Sequence, residues 1–514
     1  MDVSLDLADI QGNIHRPYGR FGFPYTRHFC FKIADPVAGR RFVQAVRPRI
    51  TTAEPWEKDE APDGTSVVRK PPITLNIGFT FLGLYALDLP TRTLRLLPDE
   101  FIDGMRSRAD ILGDVAGSAP DKWDPIWRKP QVHVWVSFSV GAKPDGTPLD
   151  VLAEWTEWLC GLTNEHVTLL NGHGADGSGL WQDSQALMAP GPDGAMVPLP
   201  KEHFGFTDGI SDPVFRGQFV GAAEALASIG GGKIAEGPYD ETTSWSPLET
   251  GEFILGRVDE GQEFPVATEP AGLARNGTFM VWRKLRQDVA AFKASIAEQA
   301  ARWKQVTGVT DETEAVETVC AKMVGRWRSG IPLLVAPTWA DHQSLMVKWA
   351  DCIELSLRKP RDSREQQRLA DFTKLLTGFR YAADLTGETC PLGAHIRRAN
   401  PRDMLDPSLL QPDAPKKPVK DRQGSTTLTN RRRLLRRGLP YVDPAGECGV
   451  VFMGICSSLF RQFEFIQQQW MNYGLDFEAG NDTCPLIGSR AQSDKHVIPA
   501  GAANAKTFFF SPRS

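Results

Sequence analysis

Nine histidines, eight cysteines and several arginine-rich strings are what this chain offers for chemistry. No two histidines have the HExxH spacing of a zinc-binding helix, no serine sits in a GxSxG elbow and no cysteines form a CxxC pair, so zinc and serine-hydrolase chemistry find no support. Three local strings remain. The first is Phe-Gly-Phe-Thr-Asp-Gly-Ile-Ser-Asp-Pro at 204–213. Its Gly205 and Gly209 flank Asp208 and let the backbone turn tightly and approach a ligand face, although an isolated Asp-Gly reads first as a turn. The second, Cys-Pro-Leu-Gly-Ala-His-Ile-Arg-Arg-Ala-Asn-Pro-Arg at 390–402, sets His395 beside several arginines. That is a candidate metal ligand next to an anionic group, where a lone histidine is more often structural. The third, Arg-Arg-Leu-Leu-Arg-Arg-Gly-Leu-Pro-Tyr at 432–441, is by itself a solvated basic helix end.

The elements that must position these strings follow from hydrophobic periodicity. Strands are expected at 27–33, 73–80, 132–140 and 167–170, with helices at 82–87 and 151–162. The alternation then begins again. A strand is expected at 277–283, followed by a helix carrying Val289, Phe292, Ile296 and Trp303. A helix at 366–379 presents Leu369, Phe372, Leu375 and Leu376, and a buried strand at 449–456 precedes a closing helix with Leu459, Phe463, Ile466 and Trp470. Gly, Pro and charge mark loops at 54–72, 113–130, 189–201 and 411–425. The run Gly230-Gly231-Gly232 and the polar stretch to Glu249 supply the best boundary, dividing the chain into 1–235 and 236–514. Strands interleaved with helices in both halves indicate two related α+β units.

Composition narrows the function classes. A chain of 514 residues with 41 % hydrophobic and 24 % charged side chains has the make-up of a soluble globular protein. Its 58 basic and 63 acidic side chains leave a net charge of −5, without the basic footprint of a nucleic-acid binder. The opening Met1-Asp2-Val3-Ser4 carries no signal-peptide pattern, and no long apolar run suggests a membrane span. Scattered cysteines fit reduced thiols in the cytoplasm. A homo-oligomer is compatible with the sequence.

One imidazole to ligate iron, one carboxylate to move a proton and one fixed cation to steady separating charge are the needs of a heme peroxidase. His395, Asp208 and Arg436 offer that set. The strings resemble the dye-decolorizing peroxidase family, and the resemblance extends over most of the chain. It runs through Asp-Ile-Gln-Gly-Asn-Ile at 9–14, Asn-Ile-Gly-Phe-Thr at 76–80 with Gly83 and Leu84, the GxxDG motif at 205–209 and Ala-His-Ile-Arg at 394–397. Asn-Gly-Thr-Phe at 276–279 with the basic run 283–288, and Arg-Gln-Phe-Glu-Phe-Ile-Gln at 461–467, extend it further.

The resemblance implies a duplicated ferredoxin-like α+β fold with heme b (iron protoporphyrin IX) in the C-terminal domain. It implies His395 as proximal ligand, Asp208 as distal acid–base residue and Arg436, rather than Arg437, as distal cation. Gly205 and Gly209 would shape the loop over the heme, and Arg397 or Arg398 would pair with a propionate. Hydrogen peroxide and a bulky aromatic, phenolic or dye-like reductant are the implied substrates. Because an unperturbed aspartate titrates at about 3.9, an acidic optimum is expected. One departure stands out: alignment puts Ser458 where many members carry an acidic partner of the proximal histidine, and a neutral partner would stabilise oxidised iron less. Read locally, Ser457 or Ser458 is a helix cap. The alternative function is a heme-handling protein with weak or no turnover.

Overall fold

The computed structural model describes residues 4–60, 66–191, 193–234, 245–265, 268–357, 362–418, 422, 424–489, 495–499 and 508–510. The first half runs β1 (Tyr25–Ile33), α1 (Pro36–Val46), β2 (Ile73–Phe79), β3 (Val134–Val140), α2 (Val151–Gly161) and β4 (Val167–Leu169). These strands pair antiparallel in the order β2-β3-β1-β4. With the order strand-helix-strand-strand-helix-strand, that is the ferredoxin-like arrangement. A further strand, β5 (Gln182–Gln185), extends the β4 edge along β1.

The period of two along each strand decides what each face does. Phe29, Phe31, Leu75, Val136 and Phe138 pack beneath Phe42 of α1 and Leu159 of α2. Burial of a side chain of that size stabilises by about 1.5–3 kcal/mol. The opposite face carries His28, Asn76, Ser137 and Ser139, all buried. It can be polar because it looks onto a second sheet rather than into the helices. Asp35 starts α1 by accepting the Ala38 N–H at 2.7 Å, with Pro36 in the first turn.

The second half repeats the pattern. It contains β6 (Phe279–Arg286), α3 (Val289–Thr307), α4 (Glu312–Val324), α5 (Ser363–Thr377), α6 (His395–Ala399), β7 (Leu435–Arg436), β8 (Leu439–Val442) and β9 (Cys448–Cys456). β6 pairs with one edge of β9, and β7 and β8 share the other. Leu435 opposite Ile455 and Leu439 opposite Val451 keep one register, so β7 and β8 form one strand interrupted at Arg437 and Gly438. A Cβ at Gly438 would stand 1.9 Å from the Val451 carbonyl oxygen, so only glycine fits the interruption. This sheet matches β2-β3-β1 of the first. Among the described residues no fourth strand joins it, and His496–Ile498 pairs instead with Phe508–Phe510. The duplicated ferredoxin-like expectation is met, with this difference in the second copy.

Two local expectations change. The closing helix is wound as a π-helix over Leu459–Glu464 and Ile466–Met471, a winding frequent near functional sites. The expected loops at 54–72 and 189–201 contain the strand pairs Lys58–Glu60 with Ser66–Val68 and Leu187–Pro190 with Met196–Leu199. The boundary expected at 235/236 lies outside the described residues. The sheets meet where β8 lies against β5, with Cys30 and Trp135 packed on Tyr441, Val451 and Met453. Lys284 and Asp124 pair at 2.9 Å beside this junction. Among the described residues no helix is long and apolar enough to cross a membrane.

Candidate active site

A cavity of 2490 Å³ opens between the second sheet and the helices α3 to α6 and continues toward the first sheet. It exceeds the roughly 300–1,000 Å³ of an ordinary small-ligand pocket. Asp208, Arg436 and His395 all line it. Three separate stretches of chain therefore bring the sequence candidates to one place.

Asp208 rides on a loop held at both ends. Lys201 and Thr207 face each other in an antiparallel bridge, the Asp208 N–H donates to Pro200 O at 2.9 Å, and Thr207 N–H donates to Arg328 O at 3.2 Å. Inside the loop, Glu202 accepts the N–H groups of Phe204 and Phe206, each at 2.8 Å. Gly205 has φ 93° and Gly209 φ 70°, a left-handed backbone that a Cβ would strain. Those turns leave the Asp208 carboxylate exposed to the cavity.

Arg436 approaches from β7. Its Nη2 donates to Ser211 O at 2.6 Å, and its Nη1 lies 3.4 Å from Asp208 Oδ1. Asp212 ties the two segments together: Oδ1 accepts the Arg436 N–H at 3.4 Å and Oδ2 accepts Arg437 Nη1 at 2.9 Å. Arg437 is spent on the backbone carbonyls of Asn13 and Ile14. Of the two neighbours, Arg436 is the one beside Asp208, in keeping with the register chosen from the sequence.

His395 is the first residue of α6. Its Nδ1 lies 3.2 Å from Cys484 Sγ. Burial by itself pulls the imidazole pKa down, but the Cys484 sulfur outweighs it and the net shift is upward. Reciprocally, burial pushes the Cys484 thiol up and His395 brings it down to about 7. Arg436 and Asp208 also act on the His395 charge, with opposite signs, as expected of groups facing one another across a cavity. Ser458 is not the partner of His395. It caps the closing helix, accepting the Arg461 N–H at 3.2 Å.

Arg397 and Arg398, expected at a cofactor carboxylate, do not line the cavity; each is fully buried and committed elsewhere. Arg397 Nη1 pairs with Asp384 Oδ2 at 3.0 Å and reaches Cys390 O at 2.6 Å, and Nη2 reaches Asp384 O at 2.7 Å. Arg398 donates to the carbonyls of Trp470, Tyr473 and Asp482. These two arginines anchor α6, and so His395, to the surrounding loops.

Arg326, Arg402 and Arg433 add three buried cations to the lining. Arg326 donates to Gly330 O and Leu376 O, each at 2.8 Å, and Arg402 to Thr377 O and Phe379 O, each at 2.7 Å. Arg433 reaches the carbonyls of Gly230, Gly231 and Gly232 at 3.3–3.4 Å. Burial, reinforced by repulsion from Arg402, pulls Arg326 and Arg433 down to about 9. Positive charge gathered in a low-dielectric pocket favours an anionic occupant. Of these three, Arg402 closes the string around His395 and Arg433 belongs to the arginine run. Arg326 and Cys484 carry no sequence signal at all.

The donor set fits an iron porphyrin. Among the described residues no three His, Cys, Asp or Glu side chains gather as they would around a bare ion. A single imidazole therefore suits a metal that brings its other ligands with it. Phe379, Ile396, Ile466 and Met471 give the cavity apolar walls, and the buried arginines give it a cationic edge.

Comparison with known proteins agrees. A family profile described as the DyP dimeric alpha+beta barrel domain matches residues 9–148. Peroxidase 2 of Mycetinis scorodonius is 27 % identical over 513 residues, covering 95 % of this chain and 78 % of that protein. The dye-decolorizing peroxidase of Mycena epipterygia is 26 % identical over 489 residues, covering 92 % and 73 %. In fold, the crystal structure of a DyP-type peroxidase from Auricularia auricula-judae superposes with a TM-score of 0.66 at 20 % identity, covering 99 % of this chain and 94 % of that one. Over nearly its whole length the chain is similar to dye-decolorizing peroxidases, with the DyP domain at 9–148, and it is a peroxidase.

Proposed function

We propose that this protein binds heme b through His395 and uses it to reduce hydrogen peroxide while oxidising bulky aromatic, phenolic or dye-like molecules. The observation that carries the reading is the convergence of Asp208, Arg436 and His395 on one cavity. Bound heme would supply the iron that takes up peroxide and passes on oxidising equivalents. The protein's own residues do the rest. His395 would hold the metal through its imidazole, whose Nδ1 lies against Cys484 Sγ. Asp208 takes the proton from the near peroxide oxygen and returns it to the leaving one. Arg436, steadied by Ser211 O, stabilises the negative charge that develops as the O–O bond breaks. Gly205 and Gly209 let the Asp208 loop close over the heme face, and Arg326, Arg402 and Arg433 receive the propionates.

With the division at 235/236, Asp208 comes from the N-terminal domain while His395 and Arg436 come from the C-terminal, heme-holding one. Eight free cysteines support a reducing, cytoplasmic setting. Steady-state and stopped-flow kinetics test the assignment. Asp208→Asn is expected to keep hemin affinity but lose the rapid reaction with peroxide, and the wild-type pH–rate profile is expected to peak in mild acid. Unchanged kinetics in the variant, or a peak well above neutrality, would remove Asp208 from its role.

A further inference from the structure

We propose that Cys484 is the positioning residue of the iron ligand: its sulfur accepts the His395 Nδ1–H, fixes the ring plane and tautomer, and sets how strongly the imidazole donates to the metal. The inference rests on His395 as ligand and goes beyond it by naming an unexpected partner type. Three observations carry it. The Nδ1–Sγ distance is 3.2 Å, and Cys484 is fully buried, so water does not compete for the ring nitrogen. The sulfur also receives the backbone N–H groups of Leu486 and Ile487, which orient it as an acceptor. The turn presenting it is tight: Cys484 N–H donates to Met471 O at 2.7 Å and Gly488 N–H to Cys484 O at 3.0 Å. A Cβ on Gly488 would come within 2.7 Å of both Cys484 backbone atoms, N and O. The residue that the sequence offered for this position, Ser458, is occupied as a helix cap.

Partner chemistry matters because the hydrogen bond at Nδ1 decides how anionic the imidazole is, and hence how well it supports oxidised iron. A sulfur acceptor is softer and weaker than a carboxylate. A heme bound by this chain would therefore be held by a less electron-rich histidine than one paired with an aspartate, and its ferric/ferrous midpoint potential would be correspondingly higher.

The test uses the full chain carrying hemin, with Cys484→Asp, Cys484→Ser and Cys484→Ala, each checked for folding by circular dichroism. The readouts are hemin affinity, midpoint potential by spectroelectrochemistry and the iron–histidine stretch by resonance Raman. Cys484→Asp is expected to lower the potential and raise the stretching frequency. Cys484→Ala is expected to do the reverse and to weaken hemin binding by about 10–100-fold, the usual cost of losing such a partner. Cys484→Ser, isosteric and still an acceptor, should stay closest to wild type and serves if alanine prevents folding. Potentials and frequencies indifferent to these changes, while His395→Ala loses the iron–histidine signal, would overturn Cys484 alone. A His395→Ala protein that keeps the wild-type signal would overturn the ligand assignment and the proposal together.

Discussion

Replacing Arg397 with methionine separates a scaffold role from a cofactor contact. The substitution keeps much of the apolar stem and deletes the guanidinium. That group pairs with Asp384 Oδ2 at 3.0 Å, donates to Cys390 O and Asp384 O at 2.6 and 2.7 Å, and touches Met404 Sδ at 3.0 Å. Arg397 is 0 % and Asp384 6 % exposed. Removing one partner of a buried pair costs about 3–5 kcal/mol, because the other charge stays buried. Asp384 would keep the N–H groups of Thr389 and Cys390, at 3.0 and 2.8 Å, which favours the lower end, about 3 kcal/mol. Against a typical total of about 5–15 kcal/mol, that is a large loss.

Urea unfolding of wild type, Arg397→Met, Asp384→Asn and the double variant, with and without hemin, measures it. The expected pattern is a large loss in the single arginine variant and a double variant less impaired than the sum, by about 0.5–3 kcal/mol. Unfolding within about 0.5 kcal/mol of wild type, together with a drop in hemin affinity, would refute the scaffold role and return Arg397 to the propionate.

Other outcomes follow from the same contacts. Arg436→Leu should slow the peroxide step by about 10²–10³-fold, the usual cost of losing one charge-stabilising donor, whereas Arg437→Leu should act mainly on the unfolding midpoint. Arg402→Leu should weaken hemin binding by about 10–100-fold, the equivalent of a charged hydrogen bond of about 1.5–3 kcal/mol; unchanged affinity would exclude it from the propionate edge. Ser458→Ala should cost about 1 kcal/mol as a lost cap and leave the heme spectrum untouched. Stability should also fall in acid. Burial, with the neighbouring His173 charge, pushes His28 down to about 3, while burial with Lys284 takes His173 to about 4. In the unfolded chain both titrate near 6.5. As pH drops below that value the unfolded state therefore binds protons that the folded state refuses, and stability present above pH 6.5 is lost progressively toward 4. His28→Asn should flatten that slope, measured as the urea midpoint against pH.

What the sequence made legible is what local chemistry controls. The Val-His-Val-Trp-Val-Ser-Phe-Ser-Val run announced β3 because one face meets helices and the other a second sheet, and that alternation is written residue by residue. The Asp208 loop was readable because two glycines at positive φ leave a recognisable string. Which arginine of the string around His395 meets the cavity was not. Arg397 and Arg402 share one string, yet a five-residue helix turns the first into the protein. Arg402 adopts φ 53° and faces the cavity, and no periodicity reports such a turn. Cys484 was invisible for another reason. It stands 89 residues beyond His395, in no motif, and only the closing of the chain brings its sulfur to the ring. Of the two readings of Ser458 the local one is what the structure shows: it opens the closing helix as its cap, while the ring nitrogen of His395 meets Cys484.

The most direct test of the central claim is the absorption spectrum of the protein with hemin, before and after one equivalent of peroxide, for wild type and His395→Ala. The expected result is a Soret band that shifts with peroxide in the wild type and is lost or altered in the variant. A bound heme that ignores peroxide, or a spectrum the variant leaves unchanged, would contradict the claim that His395 holds a peroxide-reactive heme opposite Asp208 and Arg436.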